Sequence, residues 1–336
     1  MSSDPSGQHD GKPASTALKG PLFAAWEVTR RCNLRCRHCL NNCGNELSNE
    51  LSVAEGRRLV RELIDLPVHS LCLCGGEPLL RNDIDDIIHM VAEAGITVNM
   101  VSNGLLLNKA RAAELKSAGL GFLQISLDGA TAATHELLRG GHRSYDKAVA
   151  AIHTAVQAGL NTAVAFAPNC NNIHELDSFV DLVYDLGSRH IRMMPLLGLG
   201  RATERGSNLQ PTDDQMADLR FTIWRKRAQY VDDFFQIEWG DPVDHIVRGL
   251  HQGLDVITIC ILADGTFGIS PYLPLTFGNL REGTLKDHWT AGLRHAWSHP
   301  ATRQYAERID SIIALSEQMV LPYFGEDVAV TVMKER

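Results

Sequence analysis

The sequence has no long hydrophobic run. Charged residues or glycines interrupt every apolar stretch, so none approaches the roughly 20 consecutive apolar residues that a membrane-spanning helix needs. The first residues, MSSDPSGQHDGKPAST, lack the apolar core of a secretory signal. We therefore expect a cytoplasmic protein whose cysteines are reduced or bound to metal rather than paired in disulfides.

Basic residues are too few for a nucleic-acid-binding surface. The chain has 32 Lys and Arg against 40 Asp and Glu, a net charge of −8 with histidine neutral. Proteins that bind nucleic acids generally need a basic stripe. We expect neither a nucleic acid nor a membrane as a partner.

Cysteine is scarce over most of the chain. Four of the eight cysteines lie between positions 32 and 43, two more are at 72 and 74, and only Cys170 and Cys260 lie elsewhere. Buried cysteines mostly act as small hydrophobic residues, and we expect this role for Cys72 and Cys74. We expect no chemical role for Cys43. The crowding before position 44 is therefore the feature to explain.

Short apolar runs alternate with helical patterns after residue 20. The runs begin at Leu22, Ser70, Ile96, Leu120, Leu160 and Arg189. Between them, apolar residues recur three and four positions apart, as on one face of a helix. Six such units in series predict a parallel sheet with helices outside, either a partial barrel or an open doubly wound sheet.

The alternation of apolar runs and helical patterns ends near residue 200. We predict a disordered leader over 1–20, the parallel domain over 21–200, and a small α+β cap with a C-terminal tail over 201–336. The cap is expected to contain a helix beginning near Asp213 and short strands around FFQIEW, VITICI and TFGISPY.

A C-x3-C-x2-C motif, formed by Cys32, Cys36 and Cys39, follows the first predicted strand. Three thiolates this close can surround one metal centre because each cysteine reaches only a few ångströms from the backbone. A structural zinc ion would need a fourth ligand, from His38 or Cys43. An iron–sulfur cube held by three cysteines would leave one iron open for an exogenous ligand, an arrangement suited to catalysis. Spacing alone leaves both metals open.

The ends of the next three strands are polar. The second strand ends in Cys74-Gly75-Gly76-Glu77-Pro78, the third in Ser102-Asn103-Gly104, and the fourth in Ser126-Leu127-Asp128-Gly129. Each motif alone is compatible with an ordinary turn. Because parallel strands end at one edge of the sheet, we expect these residues to meet the cysteine loop there.

With these motifs, residues 22 to about 200 resemble the radical SAM superfamily. The resemblance implies a partial (β/α)6 TIM-like barrel in which Cys32, Cys36 and Cys39 hold one [4Fe–4S] cluster, whose fourth iron is chelated by S-adenosylmethionine (SAM). It implies SAM contacts from His38, Gly75, Gly76, Glu77, Asn103, Ser126 and Arg139. Glu77 would receive the methionine amino group, and Arg139 would pair with the SAM carboxylate.

The C-terminal region is similar to a SPASM or twitch domain, with departures. Relatives carry cysteines for auxiliary clusters, but here Tyr272 stands where a second cysteine belongs and no cysteine follows Cys260. One thiolate cannot hold a cube, so we expect no auxiliary cluster. Without an electron acceptor of that kind, the resemblance favours a redox-neutral outcome.

The resemblance implies hydrogen abstraction from a substrate and a reductase partner such as flavodoxin or ferredoxin. Our first hypothesis is decarboxylation or dehydration of a small sugar-nucleoside in antibiotic biosynthesis. Arg192 and Glu27 are the candidate substrate residues, Arg192 because a buried arginine would need an anionic partner. The alternatives are a radical SAM maturase or epimerase of a ribosomal peptide and, in another class, a non-catalytic iron–sulfur or zinc-binding module.

Overall fold

One sheet organises the protein, whose computed structural model describes residues 17–203, 209–251, 255–312, 314–315 and 328–332. Its parallel strands are β1 (Phe23–Thr29), β2 (Ser70–Gly75), β3 (Thr97–Ser102), β4 (Phe122–Ser126), β5 (Thr162–Phe166), β6 (His190–Met193), β7 (Gln236–Trp239) and β8 (Thr258–Ile261). They are hydrogen-bonded in the order β8-β1-β2-β3-β4-β5-β6-β7. The six strands predicted from sequence are therefore confirmed, in sequence order. Within the described ranges no pairing joins β7 to the opposite edge.

Helices connect the strands and cover the outer face. They are α1 (Val53–Asp65), α2 (Ile84–Glu93), α3 (Lys109–Ala118), α4 (Ala132–Arg139), α5 (Ser144–Gln157), α6 (Leu176–Asp185), α7 (Asp213–Gln229), α8 (Pro242–His251), α9 (Leu285–Thr290) and α10 (Pro300–Ala306). The sequence pattern predicts α1, α2, α3, α5 and α6, which follow β1, β2, β3, β4 and β5, and a helix from Asp213 that corresponds to α7, but it misses α4. Thr131 caps α4 by accepting a hydrogen bond from the Thr134 N–H, and the helix ends at Arg139 in the site region.

Two strands that the sequence places in the cap belong to the main sheet. β7 pairs in parallel with β6, and β8 pairs in parallel with β1. Two short strands then extend the sheet: β9 (Thr266–Gly268) pairs antiparallel with β8, and β11 (Gly278–Asn279) pairs antiparallel with β9. Separately, β10 (Leu275–Thr276) pairs with β12 (Val328–Ala329). These pairings satisfy the edges of β1 and β6, which would otherwise expose unpaired backbone groups. The sheet thus continues past residue 200, and the predicted bounds of the cap stay a prediction.

The two faces of the sheet differ in chemistry. Trp26, Leu73 and Met100 point outward and are fully buried against the helices. Alternate residues point to the inner face, where Glu27 of β1 lies opposite Cys74 of β2 in the register. The inner face is therefore the side that carries polar and thiol groups, and it opens at the carboxyl edge.

The end of the predicted leader contacts the C-terminal region. The Leu18 N–H donates to Asp255 Oδ2 over 2.7 Å, and Trp289 Nε1 donates to the Leu18 carbonyl over 3.0 Å. The rest of the leader, residues 1–16, lies outside the described residues. Among those described, no helix has both the length and the apolar character to cross a bilayer.

Candidate active site

The four clustered cysteines lie on one loop between β1 and α1. The Cys32 N–H donates to the Gly44 carbonyl over 3.0 Å, and the Gly44 N–H donates to the Arg30 carbonyl over 2.9 Å. The Cys39 N–H bonds the Cys36 carbonyl over 3.2 Å within the loop. The loop therefore closes on itself at the carboxyl edge of the sheet.

A cavity of about 330 Å³ opens beside this loop. From the predicted site it is lined by Cys32, Cys36, His38, Cys39, Gly75, Gly76, Asn103, Ser126 and Arg139. Its lining also includes Cys43, Cys74, Gln124 and Arg201. Tertiary structure thus brings the loop and three of the polar strand ends together, while Glu77, Glu27 and Arg192 lie outside the lining.

The two glycines after β2 permit a close backbone approach. Gly75 has a φ of +116°, which side-chain-bearing residues rarely adopt. A Cβ on Gly76 would lie 2.2 Å from the Arg31 carbonyl oxygen, at the start of the cysteine loop. Glycine at both positions allows the strand end to lie directly against the loop.

The Glu77 carboxylate joins two strand ends. It is fully buried, and it accepts hydrogen bonds from Ser102 Oγ and the Asn103 N–H, each over 2.8 Å. Burial raises the pKa of Glu77 despite these hydrogen bonds. The structure therefore shows a carboxylate that fixes the ends of β2 and β3, and its contact with an amino group stays a prediction.

Asn103 contacts the cysteine loop. Its Nδ2 donates to Asn33 Oδ1 over 2.7 Å and lies 3.9 Å from Cys32 Sγ, while its Oδ1 accepts from the Leu105 N–H over 2.9 Å. The end of β3 is thereby held against the first cysteine of the motif.

A buried ion pair lies on the other side of the cavity. Arg139 Nε is 2.5 Å from Asp128 Oδ2, and Arg139 Nη1 is 3.9 Å from Cys36 Sγ. Burial by itself raises the pKa of Asp128, but Arg139, His38 and the Ala167 N–H together lower it below its ordinary value. Asp128 therefore stays ionised and orients the guanidinium that lines the cavity. The sequence analysis treated Asp128 only as part of a strand-end motif.

The cysteine thiols differ in acidity. Burial raises the pKa of Cys36 to about 11, against the opposing effect of Arg139. The pKa of Cys39 is lowered to about 5, chiefly by the neighbouring Cys43 side chain. The Cys43 N–H also donates to Cys39 Sγ, over 3.4 Å. A lowered pKa favours the thiolate, which is the form that binds metal.

His38 presents an unsatisfied polar atom. Its Nε2 is 3.6 Å from Asp128 Oδ2, whereas its buried Nδ1 has no hydrogen-bond partner among the described residues. Burial lowers the pKa of His38 to about 4, so the imidazole is neutral at physiological pH. A buried ring nitrogen without a partner beside a cavity is a reason to expect a ligand there.

Arg201 holds the cysteine loop from a distant part of the chain. Its Nε donates to the Cys36 carbonyl over 2.8 Å, and its Nη2 donates to the Cys43 carbonyl over 2.9 Å. Its Nη1 donates to Asn42 Oδ1 over 2.9 Å. No local pattern in the sequence marks this residue, because its partners are about 160 positions away. It is the functional residue that sequence reasoning missed most completely.

Replacing Arg201 with alanine is expected to destabilise the protein by about 3 kcal/mol, since buried acceptors on the loop lose charged donors. We also expect less iron to be incorporated on reconstitution. Chemical denaturation and iron analysis measure the two effects. Arg248→Ala is the matched control, because Arg248 pairs only at the surface, with a side chain 66% exposed. Equal stability and iron content in the two variants would contradict the assigned role of Arg201.

The two candidate substrate residues occupy other environments than expected. Arg192 is not buried: its side chain is 46% exposed, and its Nε pairs with Glu238 Oε2 over 3.0 Å on the neighbouring strand. The reason given for choosing Arg192 is therefore wrong. Glu27 is buried beneath the cysteine loop, accepts a hydrogen bond from Asn41 Nδ2, and has a pKa raised to about 8 by burial. Substrate contact by either residue stays a prediction.

The donor set suits a cluster better than a single ion. Among the described residues, no group of three or more His, Cys, Asp or Glu side chains is placed to hold one metal ion. A cube binds each cysteine to a different iron, so its ligand sulfurs lie farther apart than those around one zinc ion. Three cysteines around one cavity, with Arg139 and Arg201 against the loop, fit an anionic iron–sulfur cluster.

These features are those expected of a radical SAM domain. Residues 26–183 match the family model of the radical SAM superfamily, so this region of the chain is similar to a radical SAM domain. The family uses a [4Fe–4S] cluster and SAM, as the resemblance implies.

Comparison with individual proteins gives three informative relatives. The mycofactocin maturase MftC of Mycobacterium tuberculosis is 31% identical over 223 residues, covering 66% of this chain and 56% of the maturase. The AdoMet-dependent heme synthase of Methanosarcina barkeri is 27% identical over 287 residues, covering 80% and 82% of the two chains. The crystal structure of Streptococcus suis SuiB bound to SAM superposes with a TM-score of 0.67 at 16% identity, covering 87% of this chain and 69% of SuiB. This chain thus spans little more than half of MftC, and SuiB shows the fold.

Proposed function

We propose that this chain is a radical SAM enzyme in which Cys32, Cys36 and Cys39 hold one [4Fe–4S] cluster. The observation that carries the proposal is the single cavity lined by these cysteines together with Gly75, Gly76 and other strand-end residues. A storage or electron-carrying module has no need of these additional residues, which favours catalysis over the non-catalytic alternative.

The chain's own residues would bind and orient the cofactors. Arg139, fixed by Asp128, offers a guanidinium for the SAM carboxylate. His38 offers its unpartnered Nδ1, and the glycines after β2 allow SAM to approach the backbone. When reduced, the bound cluster and SAM supply a 5′-deoxyadenosyl radical for hydrogen abstraction. A flavodoxin or ferredoxin is the proposed electron donor.

The names of the relatives favour a peptide as the substrate. One is named a maturase, and SuiB has been crystallised with the precursor peptide SuiA. The hypothesis of sugar-nucleoside decarboxylation, as carried out by cytosylglucuronic acid decarboxylase, has no support from the relatives described above, of which one is named a maturase and one a synthase. We therefore place a redox-neutral change in a peptide, such as epimerisation, ahead of decarboxylation.

Anaerobic reconstitution tests the proposed function. We expect about four iron atoms per chain and release of 5′-deoxyadenosine from SAM after reduction with dithionite. Binding of zinc in place of iron, or iron loading without SAM cleavage, would contradict the proposal and support a non-catalytic module. Product analysis with precursor peptides and with sugar-nucleosides, each incubated in parallel, then decides between the two substrate classes.

A further inference from the structure

We propose that Cys74 is a catalytic residue that donates a hydrogen atom to the carbon radical formed on the substrate. The inference rests on the proposed radical chemistry and names how the radical is quenched. Cys74 is none of the predicted cluster ligands, and the sequence analysis assigned it only to packing.

Cys74 has access to the site. It lies on the inner face of β2, immediately before Gly75, and it lines the same cavity as Cys32, Cys36 and Cys39. A radical generated against the cluster would therefore arise in a cavity that contains this thiol. Proximity of this kind is the first requirement of a transfer step.

Cys74 is also held as a protonated thiol. Cys72 lies two residues earlier on the same face of the strand, beside Cys74. The neighbouring Cys72 and burial raise the pKa of Cys74 well above its ordinary value, and Glu27 and Cys260 add to the effect. A hydrogen thus stays on the sulfur that lines the cavity.

The other cysteines near the inner face are less suitable. Cys43 also lines the cavity, but its thiol donates to the Asn41 carbonyl over 3.8 Å, and its N–H donates to the sulfur of Cys39, a predicted cluster ligand. Cys260 lies on β8, in register with Ala25 of β1, and is not part of the cavity lining. Its position in the cavity lining therefore favours Cys74 as the hydrogen-atom donor.

The proposed transfer is balanced. The Cys74 S–H bond breaks, a C–H bond forms on the substrate, and a sulfur radical remains. One electron from the flavodoxin- or ferredoxin-type reductant and one proton from water restore the thiol. The substrate loses one hydrogen atom and regains one, so its oxidation level is unchanged, in line with the redox-neutral outcome that the sequence favours.

SAM alone is a sufficient probe. The reconstituted full-length protein is exchanged into D2O, reduced and given SAM without substrate, so that a deuterium donated by Cys74 appears in the released 5′-deoxyadenosine. Mass spectrometry measures the labelled fraction independently of yield. We expect a labelled product from the wild type, loss of most of the label in Cys74→Ala, and retention of the label in Cys260→Ala.

The outcomes separate the two proposals. Unlabelled 5′-deoxyadenosine from the wild type, or an unchanged labelled fraction in Cys74→Ala, would overturn the role of Cys74 and leave the radical SAM activity standing. Loss of label in Cys43→Ala but not in Cys74→Ala would also overturn it, in favour of the neighbouring thiol. No 5′-deoxyadenosine from any protein would overturn both proposals.

A second readout does not need the loaded enzyme. In the metal-free protein, the infrared S–H stretch reports protonated thiols, and the proposal expects the wild-type S–H absorption to lose one component in Cys74→Ala. A spectrum unaffected by Cys74→Ala would show that this sulfur carries no hydrogen to donate.

Discussion

Replacing Cys36 with alanine is expected to abolish both stable iron binding and SAM cleavage, whereas Cys43→Ser retains both. Both residues lie on the same loop, line the same cavity and are buried. The two residues differ in their predicted role. Cys36→Ala would leave the cluster with only two protein thiolates, too few to hold it stably, whereas Cys43 contributes no ligand bond. Serine keeps the size of the Cys43 side chain and leaves its backbone N–H in place for Cys39.

The measurements are iron and sulfide per chain after anaerobic reconstitution, the electron paramagnetic resonance spectrum of the reduced protein, and 5′-deoxyadenosine release. Circular dichroism of the metal-free variants establishes that each is folded. If Cys43→Ser loses iron as completely as Cys36→Ala does, the assigned ligand set is incorrect. Full iron loading of Cys36→Ala would be equally incompatible with it.

Asp128→Asn is expected to lower the free energy of unfolding by about 3 to 5 kcal/mol, because it leaves a buried guanidinium without its carboxylate. Asp128 is fully buried, and the side chain of Arg139 is only 12% exposed. Denaturant unfolding of the metal-free protein measures this effect. Asp86→Asn is the matched control: it also breaks an Asp–Arg pair, but with side chains 58% and 43% exposed, and should cost less than about 1 kcal/mol. Similar losses in both variants would contradict the importance of the buried pair.

The same substitution predicts a pH dependence. Because the folded-state pKa of Asp128 is lowered, the stability from its ionised form is present above its unfolded-state pKa of about 3.9 and is lost as the pH falls through the folded value. The stability difference between wild type and Asp128→Asn should therefore be constant near neutral pH and shrink below about pH 4. A difference that grows on acidification would contradict the lowered pKa.

Local patterns in the sequence were sufficient for much of the fold. Each of the six predicted strands is a short apolar run, and most connecting helices have apolar residues at helical spacing, so both patterns depend on neighbours in the chain. Helix α4 escaped detection because it has only eight residues, about two turns. β7 and β8 were recognised as strands, but their partners are strands remote in sequence, so periodicity placed them in the cap.

The candidate site also combines residues that local sequence patterns predict with residues that only the fold brings together. The spacing of Cys32, Cys36 and Cys39 lies within eight residues, and the order of strand ends follows from a parallel sheet, so the sequence alone determined where this chemistry should be. The roles of Asp128 and Arg201 depend on contacts between distant segments, which no local pattern encodes. The burial and partners of Arg192 were likewise decided by the strand beside it.

The cysteines illustrate the limit of prediction from sequence. The sequence determined that the front of this protein carries an unusual concentration of thiols and that three of them have the spacing of a cluster motif. Only the tertiary structure decided which face of β2 carries Cys74 and what that face encloses. The reason is that alternation along a strand fixes which residues share a face, while the packing of the other strands and helices determines whether that face becomes core or cavity.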